Sequence, residues 1–233
     1  MSRQHLKGYN VPLSWPVKRK ETPFIAKTRP GPHARDQSII LTLLIKELLK
    51  YAKTAREVKK ILNGGKILIN KKVVKDEKFP VGLFDIIEIP DTKETYRLVL
   101  NQYQKFVLVK ISEKETGYQL CKVIGKKKIR GNKTQLNLTG GRNLLITKDT
   151  YHVGDSVVFD IAKKAVAKHL KFEKGALVYL THGKNAGMQG TLETVNVYKG
   201  MRAADITLKT KDGVIHTLKE YAMAIDDSIR GSA

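Results

Sequence analysis

Over its first 36 residues the chain shows no hydrophobic period of either 2 or 3.6. Pro12, Pro16, Pro23, Pro30 and Pro32 each restrict their own φ and the residue before them. This pattern predicts an extended arm. From Asp36 or Ser38, both suitable N-caps, the apolar set Ile39, Ile40, Leu43, Leu44 and Leu48 makes one broad face, which predicts a helix ending near Tyr51. Thr54 and Glu57 have the spacing of a capping box, and Val58, Ile61 and Leu62 follow at i, i+3 and i+4. Gly64-Gly65 stop the segment, so a shorter helix is expected over 55–63. Ile67-Leu68-Ile69, a polar turn at Asn70-Lys71-Lys72 and Val73-Val74 then read as a hairpin, with a further strand over 85–89.

Beyond residue 95 the pattern turns to short β-rich runs separated by Gly, Asn, Asp or Lys: 96–100, 105–111, 118–124, 135–138, 143–146 and 156–161. A third set runs over 176–181, 191–197 and 205–210, then Asp212-Gly213 as a two-residue hairpin turn before 214–218. The fold class expected is α+β, mainly β. It comprises an extended arm over 1–36, a small helix-helix-hairpin module over 37–95, a central β-barrel-like domain over 96–170 and a final β unit over 171–233.

Composition changes the picture through charge. The chain of 233 residues carries 44 Lys and Arg against 22 Asp and Glu, while its hydrophobic fraction is an ordinary 41%. A chain of this composition folds, but self-repulsion at net +22 calls for a polyanionic partner. The net charge is +6 over 1–36, +5 over 37–100, +9 over 101–170 and +2 over 171–233, so contact is expected chiefly at the arm and the centre. The most apolar stretch, 39–49, is 11 residues long and contains Lys46 and Glu47, well short of the roughly 20 apolar residues that span a bilayer. No membrane partner is expected. The opening Met-Ser-Arg-Gln-His lacks an apolar secretory core, which predicts a cytoplasmic protein. The single cysteine, Cys121, lies in an alternating apolar run and reads as a buried structural thiol.

Three constellations carry candidate chemistry. Arg56, Lys59, Lys60, Lys66, Lys71, Lys72 and Lys75 stand on the short helix and the hairpin, where cations from both could line one face. Ala55, Val58, Leu62, Gly65, Val73, Val74, Asp76, Phe79, Val81, Gly82, Asp85 and Ile87 resemble the small RNA-binding module of bacterial ribosomal protein four, some pseudouridine synthases and some tRNA synthetases. The second constellation is Gly175, Gly183, Gly187 and Gly190, glycines suited to positive φ and close backbone approach. It resembles the KOW motif of ribosomal proteins and elongation factors, a strand, Gly-rich loop and strand in an SH3-like barrel, with Lys184 and Asn185 as side-chain contributors. A nucleotide P-loop is excluded, because Gly183-Lys184 is followed by Asn185 and Val178 stands five residues before Gly183. The third is a run of five cations, Lys126, Lys127, Lys128, Arg130 and Lys133, read as a phosphate-clamping loop between strands. The six histidines show no local metal-ligand spacing, and Arg97-Leu98-Val99 lacks the aspartate of a pseudouridine synthase segment. No enzyme, metal, cofactor or small-molecule substrate is expected.

As a whole the chain resembles the "e"-type small-subunit ribosomal protein four family of archaea and eukaryotes. The match rests on His5-Leu6-Lys7 with Pro12 and Trp15, Arg29-Pro30-Gly31-Pro32-His33, Lys50-Tyr51-Ala52, Glu57-Val58-Lys59-Lys60-Ile61 and Tyr118-Gln119-Leu120-Cys121-Lys122-Val123. Asn63-Gly64-Gly65 is richer in glycine than that family leads one to expect, and the ending at Ala233 fits an archaeal member. The resemblance implies a structural constituent of the small subunit that binds ribosomal RNA, next to other ribosomal proteins, through the phosphate backbone. In the arm the candidate RNA contacts are Arg3, Lys7, Trp15, Lys18, Arg19, Lys20, Lys27, Arg29, His33 and Arg35. A non-ribosomal RNA-binding factor or a KOW-type transcription elongation factor is the alternative. Most of the 16 aromatics fall at strand positions, which leaves Trp15 and Tyr9 as the candidates for base stacking.

Overall fold

The computed structural model describes residues 5–131, 133–147, 149–198, 200, 202–210 and 213–226. These fall into two compact units. One runs to Val99 and takes in Gln104–Gly117; the other comprises Leu100–Tyr103 and the chain from Tyr118 onward.

In the first unit the arm is not extended. Strand β1 (Leu6–Lys7) pairs antiparallel with β2 (Phe24–Ile25), and Leu6, Val11 and Trp15 are buried. The turn closes tightly: a Cβ on Gly8 would lie 2.8 Å from the carbonyl oxygens of both Arg19 and Thr22. Trp15 donates its indole N–H to the Ser38 carbonyl at 2.6 Å, and the Phe106 amide donates to Ser14 at 3.0 Å. The arm therefore has its own core contacts, made with partners distant in sequence.

The helix predicted from residue 39 begins later. Ser38–Ile40 form strand β3, which pairs with Pro80–Gly82, and only Leu41–Leu43 (α1) open the helix. It continues through a π-helical turn, Leu44–Leu48, closed by the Leu49 amide on the Leu44 carbonyl. The short helix α2 (Ala55–Asn63) forms as its capping box dictates. Thr54 Oγ1 accepts from the Glu57 amide, Glu57 accepts from the amides of Lys53 and Thr54, and Val58 and Leu62 are buried beneath it. The amides of Lys53 and Thr54 hold the Glu57 carboxyl below its ordinary pKa.

Strands β4 (Leu68–Ile69) and β5 (Lys72–Val73) make the predicted hairpin, with Asn70 and Lys71 both at positive φ in its turn. After β6 (Pro80–Gly82), strands β7 (Ile86–Ile89), β8 (Glu94–Leu100) and β9 (Phe106–Lys110) complete a five-stranded sheet of order β5-β4-β7-β8-β9. The runs at 96–100 and 105–111, expected to open the central domain, thus extend the sheet of the helical module.

The second unit holds two five-stranded antiparallel sheets. The first contains β10 (Tyr118–Ile129), β11 (Lys133–Leu138), β12 (Arg142–Ile146), β13 (Ser156–Asp160) and β14 (Ala165–Leu170), in the order β12-β11-β10-β13-β14. Its core is Cys121, Val123, Leu136, Leu138, Val157 and Phe159, which places Cys121 as a buried packing residue. The second contains β15 (Leu177–Leu180), β16 (Gln189–Asn196), β17 (Asp205–Thr210), β18 (Gly213–Leu218) and β19 (Ala222–Ala224), in the order β18-β17-β16-β15-β19. Thr210 pairs with Gly213 across the predicted hairpin turn, although Asp212 lies outside the described residues.

Within this unit the two sheets are tied by Lys122, whose ammonium donates to the carbonyls of Glu220 and Ala222, both at 2.7 Å. Burial lowers its pKa to about 8 against the opposing pull of Glu220. The Tyr179 hydroxyl, on β15, accepts from the Leu100 amide and donates to the Leu100 carbonyl.

Each unit buries a carboxylate that draws together partners from distant parts of the chain. Asp85, 1% exposed, accepts from the Gly82 amide at 2.8 Å, from Asn70 Nδ2 at 2.9 Å and from His33 Nε2 at 2.9 Å. Asp155 accepts from the amides of His152 and Phe172 and from His169 Nε2 at 2.8 Å. Burial alone would raise the Asp155 pKa, but these donors outweigh it and hold the group below its ordinary 3.8.

Two outcomes are expected. Asp85→Ala strands three donors in the interior and should lower the stability measured by urea unfolding by about 3–5 kcal/mol. Because the folded pKa of Asp155 is depressed, its contribution is full above the unfolded value and lost as pH falls through the folded one. Stability should therefore drop below about pH 4, and Asp155→Asn should flatten that drop in urea titrations run from pH 6 to 3.

Candidate nucleic-acid interface

The capping box fixes α2 so that its apolar residues face inward, and consequently Arg56, Lys59 and Lys60 are all exposed. The neighbouring hairpin exposes Lys72 and Lys75 as well. None of these five makes an ion pair with a described acid, so the first unit leaves five exposed cations on helix and hairpin.

Two residues assigned to the same cluster are partly neutralised. Lys66 pairs with Asp91 at 2.7 Å, and Lys71 pairs with Glu88 at 2.8 Å while also donating to Thr116. The Lys66–Asp91 pair is open to solvent, where its strength is modest and a phosphate could compete, whereas Glu88 is largely buried beneath Lys71.

The arm divides similarly. Lys7, Lys18 and Lys20 are exposed, and none is ion-paired among the described residues. Arg19 donates to the Val11 carbonyl, Arg29 pairs with Asp76 at 3.1 Å, Arg35 pairs with Asp36 at 3.5 Å, and Lys27 is half-buried. Arg3 lies outside the described residues.

Two assignments in the arm are overturned by burial. Trp15 is 1% exposed and committed to Ser38, so its ring has no face for a base. His33 is held on Asp85, and its ring occupies the space above Gly82, where a Cβ would lie 2.2 Å from His33 Nδ1. It anchors the arm to the module. Of the two aromatics singled out for stacking, Tyr9 is exposed.

The run Lys126–Lys133 is not a loop. Strand β10 continues to Ile129 and pairs with β11 up to Ile129 opposite Lys133, so the cations sit on a two-stranded projection and its tip. Lys126 turns back to the Tyr151 carbonyl and the Asp149 carboxylate. Lys127, Lys128, Arg130 and Lys133 remain exposed. Sequence reading also passed over Lys163 and Lys164, exposed in the turn between β13 and β14, where a Lys-Lys pair was the available signal.

In the Gly-rich segment, Gly183 and Gly187 have φ of 84° and 92°. A Cβ on Gly187 would lie 2.1 Å from the Asn101 carbonyl oxygen, and one on Gly190 would lie 2.8 Å from that of Lys209. These two glycines serve close packing of the second unit. Lys184 is exposed and Asn185 half-buried. Among the described residues no group of three or more His, Cys, Asp or Glu is placed to hold a metal ion, and no helix is long and apolar enough to cross a membrane.

Comparison with known proteins accounts for the arrangement. Family models match in three stretches: the RS4NT (NUC023) domain at 2–36, the S4 domain at 47–87 and the ribosomal family S4e at 92–166. The chain is 37% identical over 231 residues to small ribosomal subunit protein eS4 of Methanothermobacter thermautotrophicus, covering 98% of this chain and 95% of that one. It is 39% identical over 233 residues to the eS4 protein of Methanococcus vannielii, with 96% and 94% covered. The crystal structure of 30S ribosomal protein S4e from Thermoplasma acidophilum superposes with a TM-score of 0.70 at 29% identity, over 82% of this chain and 95% of that one. With relatives above 30% identity along nearly its whole length, the chain belongs to the archaeal eS4 family of small ribosomal subunit proteins.

Proposed function

We propose that the chain binds small-subunit ribosomal RNA and serves as a structural constituent of the ribosome in the cytoplasm, beside other ribosomal proteins and without catalytic activity. The observation that supports this most directly is the division of its cations. Those near acids are paired, while Lys7, Lys18, Lys20, Arg56, Lys59, Lys60, Lys72, Lys75, Lys127, Lys128, Arg130 and Lys133 stand exposed on arm, helix, hairpin and β projection. Exposed lysines next to a net positive chain gain by displacing condensed counterions from RNA phosphates, and this makes binding strongly salt-dependent.

The residues at 171–233 are read as an SH3-like KOW unit. The positive φ of Gly183 and Gly187 supports this, as does the close approach of backbone at Gly187 and Gly190. The arm over 1–36, the module over 37–95 and the central unit over 96–170 are functional divisions of the chain. They need not coincide with its sheets, since β8 and β9 belong with the module's sheet.

Two measurements test the reading. A tagged copy is expected to sediment with the small subunit after ribosome dissociation, and migration away from it would overturn the ribosomal assignment. In filter binding to small-subunit RNA, replacing Lys59 and Lys60 together by Ala should lower the log–log salt slope by roughly 1.4 to 1.8, since each neutralised phosphate contributes roughly 0.7 to 0.9. An unchanged slope would remove α2 from the interface.

A further inference from the structure

The acid-free centre of the chain points to a second kind of contact. From Thr116 to Lys148 there is no Asp or Glu, against eight Lys and Arg. This stretch folds into β10, β11 and β12. Antiparallel partners point to the same side of a sheet. Leu136 and Leu144 therefore face the core with their neighbours, and the alternate residues face outward.

Two outward rungs result. One is Lys127, Gln135 and Leu145; the next is Gly125, Asn137 and Asn143. Leu145 is 59% exposed and Lys127 and Asn143 are exposed as well, so no described element covers this face at those positions. Gln135 Nε2 donates to Asn137 Oδ1 at 2.8 Å, which fixes both amides in register, and the Asn143 side chain makes no hydrogen bond among the described residues.

Gly125 is the second observation. Its φ is not in the left-handed region, and a Cβ there would meet only Asn137 Nδ2 at 3.8 Å, an ordinary contact. The fold does not require glycine at this place, and glycine in a strand interior is unfavourable relative to a residue with a side chain. A glycine with open space above it, beside two amides, leaves room for close approach of a ligand.

We propose that this outer face of β10–β12 is a docking surface for the minor groove of an A-form RNA helix. This deepens the RNA-binding reading and rests on it. The occupant follows from chemistry. A surface without carboxylates and flanked by Lys127 and Lys133 suits a polyanion. Amides that both donate and accept suit 2′-hydroxyls and base edges, which the wide, shallow RNA minor groove displays. Single-stranded RNA would call for aromatic platforms, and neither rung carries one. The amides then select RNA over DNA, and the lysines hold the backbone at the groove edges.

The test uses the full chain, a synthetic RNA hairpin, its all-deoxy counterpart and an unpaired RNA of equal length in filter binding. Wild type should prefer the RNA hairpin to both others. Gly125→Val fills the open space with a residue favoured in strands, and Asn137→Ala with Asn143→Ala removes the amides. Both should keep the wild-type urea midpoint while weakening hairpin binding about five- to tenfold and lowering the RNA-over-DNA ratio. Lys127→Ala should reduce the salt slope by about one and leave that ratio unchanged. The proposal is overturned if wild type favours the unpaired RNA, if it does not distinguish RNA from DNA hairpins, or if Gly125→Val and the amide variant both bind as wild type does. Small-subunit co-sedimentation would survive any of these results, so failure here is separable from failure of the ribosomal assignment.

Discussion

With 44 cationic and 22 acidic side chains, the placement of the carboxylates constrains everything else. The two most enclosed serve as internal ligands for N–H groups. Asp85 joins the arm, through His33, to the turn at Gly82 and to Asn70. Asp155 joins the start of β13 to His169 on β14 and to the Phe172 amide. Others sit beside single cations, as Glu88 does for Lys71 in the hairpin turn and Glu115 for the buried Arg97 of β8. Burial of a guanidinium is tolerable only with such a partner, and burial lowers the pKa of Arg97 even so. What remains after this allocation is cationic and outward-facing. The surface proposed to meet RNA is thus the one from which acids are absent.

Elements whose causes are local were legible in the sequence. Helix α2 follows from Thr54, Glu57 and the stripe at Val58, Ile61 and Leu62, and the hairpin after it follows from a polar turn between apolar triplets. Elements with distant causes were not. Ser38–Ile40 is apolar enough for helix or strand, and the choice is made by β6, forty residues on, and by the Trp15 indole. Strand β14 escaped notice because Lys168 and His169 interrupt its alternation, yet β13 supplies its pairing. Strand β19, three residues long, exists only because β15 has an open edge.

Residue type alone also misled at the candidate site. A tryptophan in a basic, proline-rich arm suggests a base-stacking residue, but the same ring is large enough to be the arm's own core, and here its N–H is satisfied by the protein. A histidine beside Pro-Gly-Pro in a basic arm reads as an RNA contact, and its placement on Asp85 depends on a carboxylate 52 residues away. The exposure of most cations was easier to read, since an unpaired lysine has little alternative to the surface. Where a lysine does turn inward, as Lys122 does onto the carbonyls of Glu220 and Ala222, nothing in its flanking sequence announces it.

Strand β10 links these themes. Its first half, through Val123, is core, and its second half carries Lys126, Lys127 and Lys128 beyond the core. The register shift between Val123 and Gly125 separates them. An extra residue at a bulge increases local twist and re-aims the side chains that follow. Here it leaves Ile124 exposed and turns Lys127 onto the same face as Gln135. A charge run written as three consecutive lysines is thereby split by the pleat: Lys126 and Lys128 point to one side and Lys127 to the other. One half-buried member braces the sheet through Tyr151 and Asp149, while the outward one borders the amides. Charge supplies the attraction to a polyanion, but the pleat and the bulge decide which lysine can stand beside a hydrogen-bonding side chain, and that adjacency is what lets a basic sheet distinguish one nucleic acid from another.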